Sequence, residues 1–154
     1  MKCEPIGEHS YVLHQEVAIL NRLKGNKHVA ELMGFGTTES FNYMVMTCLG
    51  KNLARLRKQQ KTRKFSESTS IRLSEQCLAA VEAVHSVGFI HRDIKPSNFV
   101  VGQHDGKNSK TVYILDFGLS RQYIVESGDM RPPRKRVGFR GTMLYASLNC
   151  LARN

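Results

Sequence analysis

No stretch of this 154-residue chain approaches the roughly 18 uninterrupted apolar residues that a membrane-spanning helix needs, and residues 1–10 hold no apolar run of the kind that opens a secretory leader. The sequence therefore reads as intracellular, cytoplasmic with a nuclear location also open. Paired cysteine spacing is absent as well. Cys3, Cys48, Cys77 and Cys150 stand far apart, which argues against a disulfide framework and a zinc site and leaves free thiols. No internal repeat is found. Acidic residues are scarce, 13 against 23 Lys and Arg, so the formal charge is +10. The excess concentrates in residues 55–64 and 131–140. Such runs are most often solvated faces or loops, but they make anionic partners plausible. Neither run is interleaved with aromatic side chains that stack on bases, so an acidic or phosphorylated protein fits at least as well as nucleic acid.

What is present suits one ordinary domain, with 41% apolar residues to build a core. Across 11–24 the residues Val12, Leu13, Val17, Ile19, Leu20 and Leu23 recur at helical spacing, and Gly25 follows as a stop. At 100° per residue Glu16 falls in the middle of that apolar arc, so it needs a buried partner: a cation, or some core donor. Two strands, 28–34 and 41–47, flank a turn-like stretch at 36–40 and form an expected hairpin. A short helix over 52–60 follows. A longer one over 68–86 is expected to turn Ile71, Leu78, Val81 and Val84 inward, with Gly88 after it. Residues 99–101 and 112–115 read as a second hairpin around the Gly/Asn/Asp-rich loop 102–108. After Ser120 the pattern dissolves into Gly, Pro and Arg, and loop is expected to the end.

Two motifs carry chemistry. His91-Arg92-Asp93-Ile94-Lys95-Pro96-Ser97-Asn98 fits H-R-D-x-x-x-x-N, and Asp116-Phe117-Gly118 follows after the second hairpin. Together, in this order, they resemble the catalytic loop and magnesium motif of protein kinases. That resemblance implies transfer of the ATP γ-phosphate to a hydroxyl, a reaction that asks for positioning and charge neutralisation. Asp93, ionised at neutral pH, would accept or orient the hydroxyl proton. Asn98 and Asp116 would supply hard oxygen ligands to Mg2+. Lys95 matches the lysine that serine/threonine kinases place against the transferring phosphate. Working backwards, Met1-Lys2-Cys3-Glu4 resembles the end of the V-A-I-K strand, which makes Lys2 the partner of Glu16; its other reading is a frayed terminal lysine. Residues 41–50 resemble the strand and hinge against which adenine packs, with Met46 as gatekeeper and Leu49 offering backbone hydrogen bonds. Val100 would form the adenine floor. Without the resemblance these three are ordinary core residues.

Phe41-Asn42-Tyr43, Leu49-Gly50, the run from His85 through Phe99, and Tyr145-Ala146-Ser147-Leu148-Asn149 are similar to the casein kinase one superfamily. Gly128-Asp129-Met130-Arg131-Pro132-Pro133-Arg134 and Gly138-Phe139-Arg140-Gly141-Thr142 resemble its tau-tubulin kinase branch. The implied fold is α+β, a partial protein-kinase-like domain. Residues 1–47 would be the remainder of the N-lobe, and 48–154 the hinge, catalytic loop and activation segment, with the glycine-rich loop and later C-lobe helices absent. The implied cofactors are ATP and Mg2+. The implied partners are serine or threonine residues of acidic or cytoskeletal proteins, and the complete molecule would be monomeric. Thr142 would lie beside Asp93 and Lys95 in the substrate groove. Leu144 stands where the superfamily carries an arginine in G-T-x-R-Y that holds an anion. Arg131, Arg134, Lys135, Arg136 and Arg140 are the charges available to replace it. Two competing functions remain at this stage: a non-catalytic kinase-like binding module, and a basic nucleic-acid binder resting on charge alone.

Overall fold

The computed structural model describes residues 1–7, 11–104, 106–125, 127–134 and 138–152. Strand β1 (Lys2–Pro5), helix α1 (Val12–Arg22), strands β2 (Leu32–Thr37) and β3 (Phe41–Met46) make the first layer. Its sheet is antiparallel with order β1-β3-β2, Lys2 facing Met44 and Phe35 facing Met44 from the other side. Helix α1 lays Leu13, Ile19 and Leu20 against this layer, and Leu23 just beyond its end is also buried. Each such side chain contributes about 1.5–3 kcal/mol when fully withdrawn from water.

The hairpin forms as the alternation predicts, but its first strand begins at Leu32 rather than residue 28. Residues 28–30 are buried and spent on another contact. Ile114 N–H donates to His28 O at 2.9 Å, Val29 forms a parallel bridge with Ile114, and His28 Nδ1 lies 2.8 Å from Val112 O. This segment ties the first layer to the second, so it is not free to join the sheet.

The second layer holds α2 (Leu53–Gln59), α3 (Glu67–Ser86), β4 (Phe89–Ile90), β5 (Phe99–Val101), β6 (Val112–Ile114), β7 (Arg121–Gln122) and α4 (Leu148–Ala152). Asn52 and Ser66 cap α2 and α3, accepting from Arg55 N–H at 2.8 Å and Thr69 N–H at 3.2 Å. A side-chain cap of this kind is worth about 1 kcal/mol. Hairpin β5–β6 is antiparallel as expected, with Val100 opposite Tyr113. Gln76 of α3 clasps its edge, accepting from Val112 N–H at 2.9 Å and donating to Lys110 O at 3.1 Å.

The inward face of α3 holds Val81 and Val84 as expected, but not Ile71 or Leu78. Ala80, Ala83 and Val84 are buried, with Leu73, Cys77 and Val81 packed beside them, while Ile71 and Leu78 are 63% and 72% exposed. At 100° per residue Leu73, Cys77, Ala80 and Val84 lie within one 60° arc, and Ile71 and Leu78 lie nearly opposite it. The helix has two apolar stripes, and only the one containing small alanines meets β6. Burial pushes the Cys77 thiol up to about 11, so it stays protonated. Beyond Ser120 the described chain is mostly irregular, as expected, apart from β7 pairing with β4, a 3-10 turn at Met143–Tyr145 and the short α4.

Candidate active site

The segment His91–Asn98 is fixed before its charges are considered. Phe99 leads directly into β5, and Pro96–Asn98 forms a 3-10 turn on which α2 packs. His91 is buried, its Nε2 3.0 Å from Leu115 O and its Nδ1 accepting from Asp93 N–H at 3.3 Å. Those two bonds require the proton on Nε2. Burial pushes His91 below its ordinary value, more than the Leu115 carbonyl and the carboxylates of Asp116 and Asp93 raise it, so the ring is neutral.

Asp93 sits at the centre. Its Oδ2 lies 2.6 Å from Lys95 Nζ, its Oδ1 accepts from Thr142 Oγ1 at 2.7 Å, and Asn98 Nδ2 donates to its Oδ2 at 3.2 Å and its backbone carbonyl at 2.9 Å. Lys95 also donates to Thr142 Oγ1 at 2.9 Å. Burial alone would raise the Asp93 pKa, but the hydrogen bonds from Lys95 and Thr142, the Lys95 charge and then Asn98 hold it below the ordinary carboxylate value. The loop that brings Thr142 here depends on Gly141, whose φ is +111° and whose missing Cβ would lie 2.6 Å from Arg92 O.

A second group of charges lies where β1 and α1 meet the segment that begins at Asp116. Lys2 Nζ binds Glu16 Oε1 and lies 3.1 Å from Asp116 Oδ1. Glu16 is 1% exposed, as its place on the apolar arc requires, and its partner is the cation of β1. Burial works to lower the Lys2 pKa, but the hydrogen bond and charge of Glu16, reinforced by Asp116, hold it above its ordinary value. Burial pushes Glu16 up against the opposing pull of Lys2. Asp116 adopts a left-handed backbone, φ 71° and ψ 72°, uncommon for a residue with a side chain. Phe117 after it is 1% exposed and meets the His91 ring edge-on at 5.5 Å. A Cβ on Gly118 would lie 2.8 Å from Val12 Cγ1 and 3.1 Å from Glu16 Oε1, so only glycine lets α1 approach. Gln15 of α1 completes the contact, donating to Phe117 O at 3.2 Å and Ser120 O at 2.8 Å.

Met46 ends β3, half-buried, and Leu49 is half-buried three residues later. The segment after Leu49 is clamped to β5: Gly50 N–H donates to Val101 O at 2.8 Å, Val101 N–H donates to Lys51 O at 3.1 Å, and Asn52 bridges Val100. Val100 is buried at this junction. A Cβ on Gly50 would lie 2.6 Å from Gly102 O, which explains the glycine.

Beside Asp93 opens a cleft of about 540 Å³, lined by Ile90, Ile94, Thr142 and Tyr145 with Arg92, Arg121, Arg134 and Arg140. Arg92 donates through Nε to Leu119 O at 2.5 Å and through Nη2 to Ser120 O at 3.4 Å. Burial, followed by repulsion from Arg140, Arg121 and Arg134, pushes its pKa below the ordinary value. The sequence reading nominated Arg134 and Arg140 and missed Arg92 and Arg121, which no spacing rule connects to them. Arg131 does not line this cleft; its guanidinium donates to Gln122 Oε1 at 3.3 Å because its backbone is held to Tyr123 O. Lys135 and Arg136 lie outside the described residues. Leu144 is 84% exposed.

Among the described residues no helix is long and apolar enough to cross a membrane, and no three His, Cys, Asp or Glu side chains form a metal cluster. The oxygens of Asp116 and Asn98 nevertheless suit magnesium, which takes one or two protein oxygens and keeps waters and phosphate oxygens for the rest. The Asp116 side chain is 51% exposed, leaving it open to such a ligand.

A family profile described as the protein kinase domain matches residues 3–153. Among curated proteins, a Dictyostelium discoideum chain named as a serine/threonine-protein kinase is 42% identical over 149 residues, 97% of this chain and 30% of that one. The Caenorhabditis elegans serine/threonine-protein kinase spe-6 is 36% identical over 150 residues, 97% of this chain and 39% of that one. A C. elegans chain carrying the name casein kinase I is 35% identical over 133 residues, 86% and 39%. The chain thus spans about a third of the length of the curated relatives it matches. With a profile match across almost every residue and the H-R-D and D-F-G segments in contact through His91 and Phe117, the chain belongs to the protein kinase domain family.

Proposed function

We propose that the protein transfers the γ-phosphate of ATP to serine or threonine hydroxyls of proteins, as a member of the casein kinase one superfamily and its tau-tubulin kinase branch. The observation that carries this reading is the bonding of Asp93: one carboxylate oxygen holds Lys95, and the other already accepts a hydroxyl proton from Thr142. An incoming substrate hydroxyl meets a carboxylate that is ionised and oriented for the same bond. As its oxygen bonds to phosphorus the bond from phosphorus to the bridging oxygen of ADP breaks, and the hydroxyl proton passes to Asp93. Lys95 neutralises charge on the transferring group. Lys2, held by Glu16, binds the ATP phosphates, while Met46, Leu49 and Val100 line the adenine site. Asn98 and Asp116 hold Mg2+, which when bound neutralises phosphate charge. Thr142, Arg134 and Arg140, with Arg92 and Arg121, form the substrate side. In place of the arginine that Leu144 replaces, these guanidiniums would favour acidic sequence in the substrate, cytoskeletal proteins included.

The test is transfer of labelled γ-phosphate to a serine-containing acidic protein, with Asp93→Asn as control and magnesium-dependent ATP binding measured alongside. Transfer lost in the control is expected. Binding of magnesium-ATP without transfer would favour a non-catalytic nucleotide-binding module, and failure of both would remove the assignment.

A further inference from the structure

We propose that the exposed basic surface of α2 and the turn that follows it docks an acidic segment of a protein partner, at a place separate from the active site. Seven Lys or Arg and no Asp or Glu fall within residues 51–66. The other 138 residues hold 16 basic against 13 acidic residues, so this one segment carries most of the net charge. Lys51, Arg55, Arg57, Lys58, Lys61 and Lys64 are all exposed, and so is Arg63. None of them is in any of the ion pairs found among the described residues.

The charges are carried on a fixed support. Leu53 is buried, Leu56 packs on the core, and Asn52 caps the helix, so α2 is anchored on the 96–98 turn and on β5. The turn beyond is held in one shape by Arg63 N–H donating to Gln60 O at 2.9 Å and by Thr62 Oγ1 donating to Lys64 O at 3.3 Å. Arg63 takes a left-handed φ of 53°, a conformation that a side-chain-bearing residue adopts at some energetic disadvantage. Uncompensated like charge on a preorganised surface favours an anionic ligand of extended shape, because ordering the protein side adds little to the entropy of binding.

The identity of the partner follows from what the surface lacks. Its apolar residues are Leu53, Ala54, Leu56 and Phe65, none of them exposed, so nothing projects to enter a lipid surface. No exposed aromatic side chain is present to stack on an unpaired base. Carboxylates of an Asp- or Glu-rich protein segment need neither an apolar anchor nor a stacking platform, and duplex phosphate, which charge can also hold, is the competing ligand that the experiment separates from them.

The experiment is fluorescence anisotropy of labelled octaglutamate, which has no hydroxyl to phosphorylate, titrated with the chain at low ionic strength and without nucleotide. Its outcome is therefore independent of phosphate transfer. Arg57→Glu, Lys58→Glu, Lys61→Glu and Lys64→Glu combined should weaken binding by about tenfold or more, since each reversal replaces attraction by repulsion. The same total charge change at Lys24, Lys27, Lys107 and Lys110, exposed elsewhere, should weaken it by less than about threefold. If the reversed chain unfolds by circular dichroism, the four-glutamine version is used and a smaller loss in the same direction is expected. Equal loss in both sets would overturn the proposal in favour of whole-molecule charge. Loss only with Arg134→Glu and Arg140→Glu would move the site to the cleft. Displacement of octaglutamate by duplex DNA of equal charge at lower concentration would make the ligand nucleic acid.

Discussion

Two clusters of charge, one around Asp93 and one around Lys2, are built in opposite ways. Asp93, Lys95 and Asn98 lie within six residues of one another, and only Thr142 comes from elsewhere; the carboxylate is buried and bonded on both oxygens. Lys2 is held by Glu16 and Asp116, 14 and 114 residues away, and it and Asp116 remain about half exposed. The first cluster is therefore set by local chain geometry, whereas the second exists only when β1, α1 and the 116–119 segment dock. A carboxylate so fully bonded is suited to a fixed role. A cation shared between two partners on different elements ties β1, α1 and the 116–119 segment to one another.

The largest effect should come from the local cluster. Asp93→Asn keeps the shape and removes the proton acceptor, so in the proposed role phosphate transfer should fall by about 10²–10⁴-fold while ATP affinity changes little. Single-turnover transfer with a parallel calorimetric titration measures both, and near-normal turnover would remove Asp93 from its role. Asp116→Ala should act through the other cluster, weakening magnesium-dependent ATP binding by at least about tenfold because it deletes a partner of Lys2 and, in the proposed role, an oxygen ligand of magnesium. Equal magnesium dependence in the two variants would contradict the division between the clusters.

Lys2→Met should unsettle the fold as well as binding. It leaves Glu16 buried without a cation, and breaking a buried pair typically destabilises by about 3–5 kcal/mol, reduced here toward about 1–3 because Lys2 is partly exposed. The double variant with Glu16→Gln should recover part of that loss. Chemical denaturation of the four chains measures it, and simple additivity would show that the two residues do not depend on each other.

The contrast also explains how much was legible in the sequence. Asp93, Lys95 and Asn98 stand together in one short motif and Asp116 opens a second, so all four were legible through the resemblance those motifs carry, and Glu16 because a carboxylate on an apolar helical arc demands a partner. Lys2 was supplied only by resemblance, since nothing within four residues of strand β1 points to a helix 14 positions on. The inward face of α3 was read correctly at Val81 and Val84 and misread at Ile71 and Leu78, which are more hydrophobic than Ala80 and Ala83, whereas close approach to β6 rewards small side chains. Residues 28–30 looked like strand because they are buried, but they bond to β6 instead of joining the sheet. Arg92 and Arg121 joined Arg134 and Arg140 only through the tertiary fold, and the contribution of Gln15 to the Phe117 backbone has no sequence signal at all.

The smallest expected effect separates the supports of the local cluster by pH. His91 has a folded-state pKa below its ordinary 6.5, so as pH falls through that value the unfolded chain takes up the proton first. Stability is then greatest above 6.5 and declines below it, and protonation of Nδ1 removes the acceptor that holds Asp93 N–H. Asp93 is also held below its ordinary value, 3.8, so its contribution is complete above 3.8 and is lost only as pH falls further. The two groups therefore act in different windows, His91 from about 6.5 downward and Asp93 below about 4. His91→Gln keeps an amide N–H able to reach Leu115 O but does not titrate. Melting temperature followed from pH 7 to pH 5 should fall less steeply in this variant than in the parent, whereas Asp93→Asn, which removes one of the charges that raise the His91 pKa, should not flatten that slope and should flatten the decline below about pH 4. Parallel curves for parent and His91→Gln between pH 7 and 5 would show that the acid sensitivity of the fold arises elsewhere.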